Sequence, residues 1–392
     1  MKRFLVSLLL SALAVASIPS GAVAQTPSPG HHPLKESRFQ VRPLHGVSSA
    51  SLDAQTAAAV TVPTWSSLIS SLGHTYSYRM VGKKPSVHQL NPSTTVTADL
   101  IPVSLTFDDS GVTFDPTASD PTCSPAGTAK NLTAASPIFK KHAYAPGGTA
   151  VGTVQYLDAF QRENFWKFIR PGGLNPGYHV VLNLVSHPVI PLEVATDTGL
   201  TVQGNCGPLG LVDIDTWDKF VQTNLFPQLS TAVPAVTPTH FAIFLFYNVA
   251  MFFNGNPNDC CALGYHSAFP SSSFGGAVQT YSTADFETSQ SFSGRDVSAL
   301  SHEVGEWMDD PFGNNPTPAW GHTGQITGCS SLLEVGDPLT GKTFTVLMPN
   351  GFKYHLQELA FFSWFYRQKP SLGVNGWYSS RGTFRTTQPI CH

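Results

Sequence analysis

Charged side chains are scarce in this sequence. Asp, Glu, Lys and Arg make up 12% of its 392 residues, against about a quarter in an average globular protein, and the formal net charge is −3. Runs of Lys and Arg are absent, which excludes a basic surface for nucleic acid and a polybasic segment for an anionic membrane. We therefore expect no nucleic-acid partner.

The sequence also lacks the short motifs of several large enzyme classes. It contains no G-x-S-x-G elbow, no G-x-x-x-x-G-K-[ST] phosphate loop and no G-x-G-x-x-G dinucleotide segment. Glycine and proline, in contrast, are plentiful, with 33 and 31 copies. Because both residues favour turns, this composition indicates a β-rich, loop-rich body rather than a helical bundle.

Long apolar runs are missing beyond the N-terminus. The stretch 241–253 is thirteen residues long and apolar apart from Asn248; it is too short for a membrane span and predicts one or two buried strands. The first 24 residues have the pattern of a signal peptide, with Lys2 and Arg3, an apolar run at 4–18 and small residues at 22–24. We therefore expect a secreted or periplasmic protein.

The cysteines are few and even in number. An even count in an exported chain favours structural disulfides, and C-x-x-C spacing for zinc is absent. Cys260 and Cys261 are adjacent, and a bond between neighbours is strained, so each is predicted to pair with a different partner. The six cysteines are Cys123, Cys206, Cys260, Cys261, Cys329 and Cys391.

The order of patterns along the chain suggests a tail followed by two parts. Residues 25–60 are rich in Pro, Ser, Ala and His without periodicity, which predicts a flexible tail. Alternating residues then predict a β-rich N-terminal lobe at 61–175, including two strands joined by a polar turn at 105–114. Further on, helices are predicted at 159–168 and 213–229, and a strand at 180–185.

The most informative stretch is 296–311, D-V-S-A-L-S-H-E-V-G-E-W-M-D-D-P. Its periodicity predicts a helix that begins at a Ser293-x-x-Asp296 capping pattern and ends before Pro311. Residues four apart share a helical face, so His302 and Glu306 could bind one ion. The pattern is that of an H-E-x-x-H metalloprotease helix with the second histidine replaced by glutamate.

This run, together with L-E-V-G-D-P at 333–338 and Q-E-L-A-F-F-S-W-F at 357–365, resembles secreted bacterial zincin-like proteins. It is more distantly similar to the phosphate-induced, exordium-like cell-wall proteins, which carry a comparable H-E-x-x-E segment and a later E-x-G-D. The resemblance is loose over 76–380 and tighter over 264–337. It implies an α+β fold in which residues 176–392 form a zincin-like metallopeptidase half, with 279–282 as an edge strand above the cleft.

The H-E-x-x-H scheme assigns roles to individual residues. His302 and Glu306 would be metal ligands, and Glu303 the general base that takes a proton from water. Glu334 is the first choice for a third ligand. Asp337 is either the alternative ligand or an acceptor for a ligand's free N–H. The expected cofactor is a divalent metal, first of all zinc.

Glutamate at position 306 weakens the analogy to H-E-x-x-H enzymes. A His-Glu-Glu set neutralises both charges of the ion, which lowers its strength as a Lewis acid and also suits Mn²⁺ or Ca²⁺. Three hypotheses follow: a metal-dependent peptidase acting on extracellular polypeptides, a non-catalytic wall-associated binding protein with a structural ion, and another metallohydrolase acting on cell-wall material. A fourth interpretation is an ordinary polar helix face without any metal.

Other polar residues near these motifs are secondary candidates. A helper for a charged intermediate could come from one of several residues that no spacing rule separates: Tyr265, His266, His322 and His355. Glu358 is a candidate buried carboxylate in an apolar helix. Asp309 and Asp310 are expected either to stabilise the helix end or to support the metal ligands from behind, and Asp310 needs a partner because acids at a helix C-terminus oppose the dipole.

Overall fold

The computed structural model describes residues 38–124 and 126–391, together with the backbone of strand β1 (Phe4–Leu5). Apart from that strand, the predicted signal peptide and the tail residues 25–37 lie outside the described residues. The remainder of the predicted tail contains regular structure, namely strand β2 (Arg38–Arg42) and helix α1 (Ser49–Ala57). Ser48 caps α1 by accepting a hydrogen bond from the Ser51 amide.

Strands dominate the rest of the chain. Before residue 176 they are β3 (Thr64–Ser71), β4 (His74–Val81), β5 (Thr94–Phe107), β6 (Thr113–Phe114), β7 (His142–Tyr144) and β8 (Gly152–Val154). After it they are β9 (Val180–Ser186), β10 (Ile190–Val194), β11 (Gly199–Gln203), β12 (Pro208–Asp213), β13 (His240–Tyr247), β14 (Val249–Phe253), β15 (Asn256–Ser271), β16 (Ala277–Phe286), β17 (Pro316–Thr323), β18 (Ile326–Leu332), β19 (Thr343–Leu347) and β20 (Lys353–Gln357).

The helices are short by comparison. After α1 they are α2 (Ala129–Ala135), α3 (Tyr156–Asn164), α4 (Trp166–Ile169), α5 (Ile214–Phe220), α6 (Phe226–Leu229), α7 (Ser298–Asp309) and α8 (Phe362–Phe365). A π-helical turn, Val221–Leu225, joins α5 to α6. Within the described residues, no helix is long and apolar enough to cross a membrane.

Twelve strands form one mixed sheet. Its main order is β1-β10-β5-β13-β16-β15-β14-β12-β11, while β2 pairs with β15, and β6 and β9 pair with β5. Neighbours are parallel at β5–β13 and β13–β16 and antiparallel at β16–β15. The boundary predicted between residues 175 and 176 falls inside this sheet, because β5 pairs with β9, β10 and β13.

The predicted α+β fold with a zincin-like half is wrong. The chain is β-rich, and its organising element is the large sheet rather than a helical half around α7. Alternate residues of the central strand β13 enter two different cores, so Phe241 and Ile243 face one layer while Phe244 and Phe246 face the other. A strand that is apolar on both faces must be covered on both, and the resemblance centred on one twelve-residue helix did not reveal this second layer.

The two layers are built from different parts of the chain. One face packs against α7, through the apolar side chains of that helix, and against C-terminal segments. The opposite face packs against the predicted helical region at 213–229, which forms α5, the π turn and α6. The predicted edge strand at 279–282 is wrong, since β16 lies inside the sheet between β13 and β15.

Several local predictions are confirmed. The hairpin at 105–114 forms as β5 and β6, the helical pattern at 159–168 as α3 and α4, and the strand at 180–185 as β9. Helix α7 also forms and ends before Pro311, but the predicted capping pattern is wrong: its N-cap is Val297, with no side-chain cap. The Ser298 hydroxyl instead accepts a hydrogen bond from the Arg295 amide.

All six cysteines form disulfides. The pairs are Cys123–Cys206, Cys260–Cys261 and Cys329–Cys391. The prediction of different partners for the two adjacent cysteines is therefore wrong: the fold brings the other four together in pairs from distant segments, leaving the neighbours to bond to each other.

The core behind the sheet provides a stability test. Phe244 is fully buried and its ring packs against Trp217, Phe226 and Tyr281. We expect Phe244→Ala to lower the free energy of unfolding by about 3–5 kcal/mol, because it leaves a cavity that the sheet cannot close. Chemical denaturation measures this. Leu68→Ala, at a side chain with 68% exposure, should stay within about 0.5 kcal/mol. Equal small losses in both variants would contradict this packing.

Candidate metal centre

The predicted site residues converge at one buried place. Helix α7 carries His302, Glu303 and Glu306, and the loop after β18 carries Glu334 and Asp337. All five are buried. The helix is held in place from behind by the sheet, where the Trp307 ring stacks on Phe241 with centroids 3.9 Å apart. The candidate residues from both segments of the sequence therefore meet in one cluster.

The first half of the cluster surrounds His302. Its Nε2 atom lies 3.0 Å from Glu306 Oε1 and 3.5 Å from Asp337 Oδ1. Neither ring nitrogen of His302 makes a hydrogen bond within the described residues. One ligand-type atom from each of His302, Glu306 and Asp337 thus lies within 4.8 Å of the other two.

The second half of the cluster surrounds His266 of β15. Its Nδ1 atom lies 3.3 Å from Glu303 Oε2 and 3.5 Å from Glu306 Oε2. Its Nε2 atom lies 3.2 Å from the Asp310 carbonyl oxygen, the acceptor that fixes the ring. His266, unlike His302, is therefore held by partners on both sides, which suits a residue that positions Glu303.

Negative charge exceeds positive charge in this enclosed space. Four carboxylates, those of Glu303, Glu306, Glu334 and Asp337, share it with two imidazoles. Among the described residues, no Lys or Arg forms an ion pair with them. Buried carboxylates need a cation, hydrogen bonds or protons. Yet both oxygens of Glu334 and Oε1 of Glu303 have no hydrogen-bond partner within the described part of the chain.

Protons balance the charge when no cation is bound. Burial raises the pKa of Glu303 to about 7 and that of Asp337 to about 6. Burial and the neighbouring Glu306 also raise the pKa of Glu334 well above its ordinary value. Burial opposes the charge on Glu306, but His302 and His266 outweigh it and hold the pKa of Glu306 below its ordinary value.

The pKa values of the two histidines are raised, which favours their positively charged forms. Burial disfavours the charged form of His302, yet the carboxylates of Glu306 and Asp337 raise its pKa well above the ordinary value. In the same way, Glu303 and Glu306 overcome burial and raise the pKa of His266 to about 10. The carboxylates attract positive charge, whether it comes from protons on the rings or from a metal ion.

A metal ion fits the donor atoms of the first half. Bonds of about 2.0–2.2 Å to one ion place its tetrahedral ligand atoms about 3.3–3.6 Å apart. The 3.0 and 3.5 Å separations around His302 Nε2 are close to that spacing. His302 Nε2 makes no hydrogen bond to Glu306 although the two atoms are 3.0 Å apart. Metal ligands have this relation, because they converge on the ion and do not bond to each other.

Two glycines make room for this arrangement. A Cβ on Gly336 would lie 2.5 Å from the His302 ring, and a Cβ on Gly264 would lie 2.8 Å from Glu303. The Gly336 amide also donates a 3.1 Å hydrogen bond to Glu306 Oε1. The G of L-E-V-G-D-P is therefore required by the close approach of the loop to the helix.

Strand β2 covers the cluster. The Phe39 ring stacks on the His302 ring with centroids 3.7 Å apart. The Gln325 side chain accepts a 2.7 Å hydrogen bond from the Phe39 amide, donates a 2.9 Å bond to the Phe39 carbonyl and bonds Asp337 Oδ1. Neither residue was predicted from the sequence: Phe39 lies far from the motif in the chain, and Gln325, between the two motif segments, belongs to no recognised pattern.

Most secondary candidates lie outside the centre. His322 is exposed and bonds the Thr327 carbonyl, and His355 pairs with Asp296. Tyr265 lies in the core on the other face of the sheet. Glu358 is not in a helix: it follows β20 and accepts hydrogen bonds from Ser379, Thr383 and the Arg381 amide.

The two acids at the end of α7 are held by hydrogen bonds. Asp309 accepts hydrogen bonds from Gln161 and Asn164. Asp310 accepts from the amides of Asn314 and Asn315, which supply the partners that a C-terminal acid requires.

Comparisons with known proteins find no matching family model, no matching curated protein and no matching solved structure. The likeness to zincin-like and exordium-like proteins accordingly stays a prediction from motifs. The site geometry has to carry the functional argument.

Gly336→Ala tests the close approach of loop and helix. The added methyl group must displace the His302 ring, so we expect divalent-metal affinity to fall by about 10–100-fold, the usual effect of disturbing a ligand's support. Isothermal titration calorimetry with Zn²⁺ and Mn²⁺ measures it. Gly328→Ala is the control, because a Cβ there meets nothing within 4 Å. Unchanged affinity in the Gly336 variant would exclude His302 as a ligand.

Metal affinity should rise with pH. Because the carboxylates raise the pKa of His302, and burial raises the pKa of Asp337, protons must leave before an ion can bind. We expect tighter binding as pH increases from about 5 to about 8 and proton release on binding. Calorimetry in two buffers of different ionisation enthalpy measures the released protons. Binding that neither depends on pH nor releases protons would contradict this linkage.

Proposed function

We propose that the protein binds a divalent metal ion through His302, Glu306 and Asp337 and acts as a metal-dependent hydrolase of extracellular polypeptides. The observation that carries the proposal is the fully buried Nε2 atom of His302, which faces two carboxylates at 3.0 and 3.5 Å and makes no hydrogen bond within the described residues. Zinc is the first choice of ion, while the two carboxylates also suit Mn²⁺ or Ca²⁺. A bound ion would supply Lewis-acid polarisation.

Glu303 is the proposed general base. Burial raises its pKa to about 7, which suits proton transfer near neutral pH. Its Oε2 atom is oriented by His266, while Oε1 remains free to accept a proton within the described surroundings. One carboxylate oxygen is thus held and the other is available. Glu334, unpartnered at both oxygens, is proposed as a further ligand or as an anionic neighbour of the bound ion.

The export signals of the sequence support an extracellular substrate. The proposed signal peptide and the three disulfides fit an oxidising compartment. Secretion or periplasmic export is therefore part of the proposal.

A second candidate is a non-catalytic binding protein with a structural ion. The enclosure of the cluster favours it, since every proposed ligand is buried and β2 lies over His302. Structural metal sites are closed by protein groups, whereas catalytic sites keep a position open. Catalysis therefore requires access that the covered arrangement does not provide.

Metal analysis of the purified protein tests whether a divalent ion is bound, which both candidate functions require. We expect near-stoichiometric zinc or manganese in the wild type and its loss in His302→Ala, because that change removes the unpartnered nitrogen. Elemental mass spectrometry measures the content. His74→Ala, at an exposed histidine, should retain the metal. A wild-type protein that takes up no divalent ion would exclude both candidates.

Glu303→Gln separates the two candidates. The change preserves size but removes the base, so we expect hydrolysis of casein or a peptide library to fall by about 10²–10⁴-fold. Metal content should be retained, because Glu303 is not among the three proposed ligands. If wild type and variant both bind metal, both lose thermal stability on chelation and neither cleaves any peptide, the structural ion is the correct assignment.

A further inference from the structure

Strand β2 occupies an edge of the large sheet beside the metal centre. It pairs in parallel with β15, with Phe39 opposite Gly264, Gln40 opposite Tyr265 and Val41 opposite His266. The other edge of this part of β15 pairs with β16. Removing β2 would expose the backbone of 262–267, and an exposed strand edge is a ready template for an extended peptide.

The side chains of β2 reach the centre at one point. Phe39 is 5% exposed and covers the His302 ring, while the four other residues of the strand are half-buried. Gln325 holds the Phe39 backbone at both its amide and its carbonyl. Phe39 therefore acts as an anchor in a pocket whose floor is His302.

Ion pairs flank this anchor. Arg38 lies 2.8 Å from Asp259, whose side chain is 37% exposed, and Arg42 lies 2.6 Å from Asp215, which is 56% exposed. Arg42 also lies 3.6 Å from Asp218. Ion pairs of this kind hold the strand weakly in place and also select charge. The groove is thus acidic on either side of an aromatic pocket.

The segment that follows the strand has anchoring contacts of its own. From Leu44 onward the chain is fixed separately: the Leu44 amide bonds the Phe312 carbonyl, and Leu44 and Leu52 belong to a small core of their own. An open cleft of ≈ 340 Å³ already runs along the strand, between Gln325 and Phe253. Separation at residues 38–42 would extend this cleft to His302.

We propose that the edge of β15 at 262–267 is a binding site for an extended polypeptide, and that β2 fills this site as a displaceable cover. The ligand it selects has a basic residue, an aromatic residue directly after it and a second basic residue three positions further on, as in Arg38, Phe39 and Arg42. This inference rests on the proposed function, because it names the substrate class of the same centre. The substrate and β2 compete for the same edge of β15. Pairing of β2 with this edge therefore lowers the activity of the protein.

The test uses the full chain with Arg38→Ala, Phe39→Ala and Arg42→Ala combined. The variant keeps the backbone of β2 but loses its anchor and both charges. Hydrogen exchange measured by mass spectrometry should show faster exchange at 262–267 than in the wild type, because the edge opens more often. Leu68→Ala is the control and should leave exchange there unchanged.

A labelled peptide, Arg-Phe-Gln-Val-Arg with blocked ends, is then added to this variant. We expect it to slow exchange at 262–267 again, and fluorescence anisotropy should show that Arg-Ala-Gln-Val-Arg binds at least about tenfold more weakly, because aromatic anchors dominate such interfaces. Unaltered exchange in the triple variant, or equal affinity for the two peptides, would overturn the proposal.

A milder variant keeps the test decisive if the triple variant does not fold. Asp215→Asn combined with Asp259→Asn alters only the acidic flanks and leaves Phe39 in place. If near-ultraviolet circular dichroism shows that the triple variant is unfolded, the Asp variant decides. Faster exchange at 262–267 in it supports the cover, and wild-type exchange contradicts it.

Metal content and casein hydrolysis, measured on the same samples, keep the two proposals apart. Selective peptide binding without metal or without hydrolysis supports the peptide site and contradicts the hydrolase. Metal binding and hydrolysis with no selective peptide binding support the hydrolase and overturn the peptide site.

Discussion

The enclosure of more negative than positive charge is the constraint on which the centre depends. Carboxylates from α7 and from the loop after β18 meet in a buried space. Only protons on His302 and His266, protons on the carboxylates themselves, or a bound cation can balance them. The sheet behind α7 supplies the rigidity that keeps these groups together, since the packing of Trp307 on Phe241 prevents the helix from moving away.

The two histidines differ in role because their surroundings differ. His266 lies in β15, where the carbonyl of Asp310 and the carboxylate of Glu303 fix both sides of its ring. His302 lies between Gly336 and the Phe39 ring, and its Nε2 atom faces the carboxylates of Glu306 and Asp337 without a hydrogen bond to another described residue. One imidazole is therefore satisfied by protein groups, and the other is left for a ligand. Identical residue types thus acquire different chemistry from their neighbours.

The sequence predicted the local parts of this arrangement better than the global ones. The spacing of His302 and Glu306 on a helix, and the return of Glu334 and Asp337 from a second segment, could be predicted because helical periodicity and metal-ligand chemistry are local rules. The zincin-like fold was wrong, since sheet topology depends on pairings between distant segments that no motif encodes. The contribution of Phe39 was missed for the same reason: its partner His302 lies more than half the chain away.

The buried cluster can act in catalysis only if the strand that covers it, β2, can separate from the elements that carry its ligands. The support consists of α7, β15 and β16, which are buried throughout the region of the centre and belong to a continuous core. The cover consists of a five-residue strand with one deeply buried side chain and ion pairs at the surface. Local opening favours elements with few buried side chains, and β2 has one, so we expect β2 to open before its support does. The same division explains how a closed cage for a metal ion and an accessible site for a polypeptide can be two states of one fold.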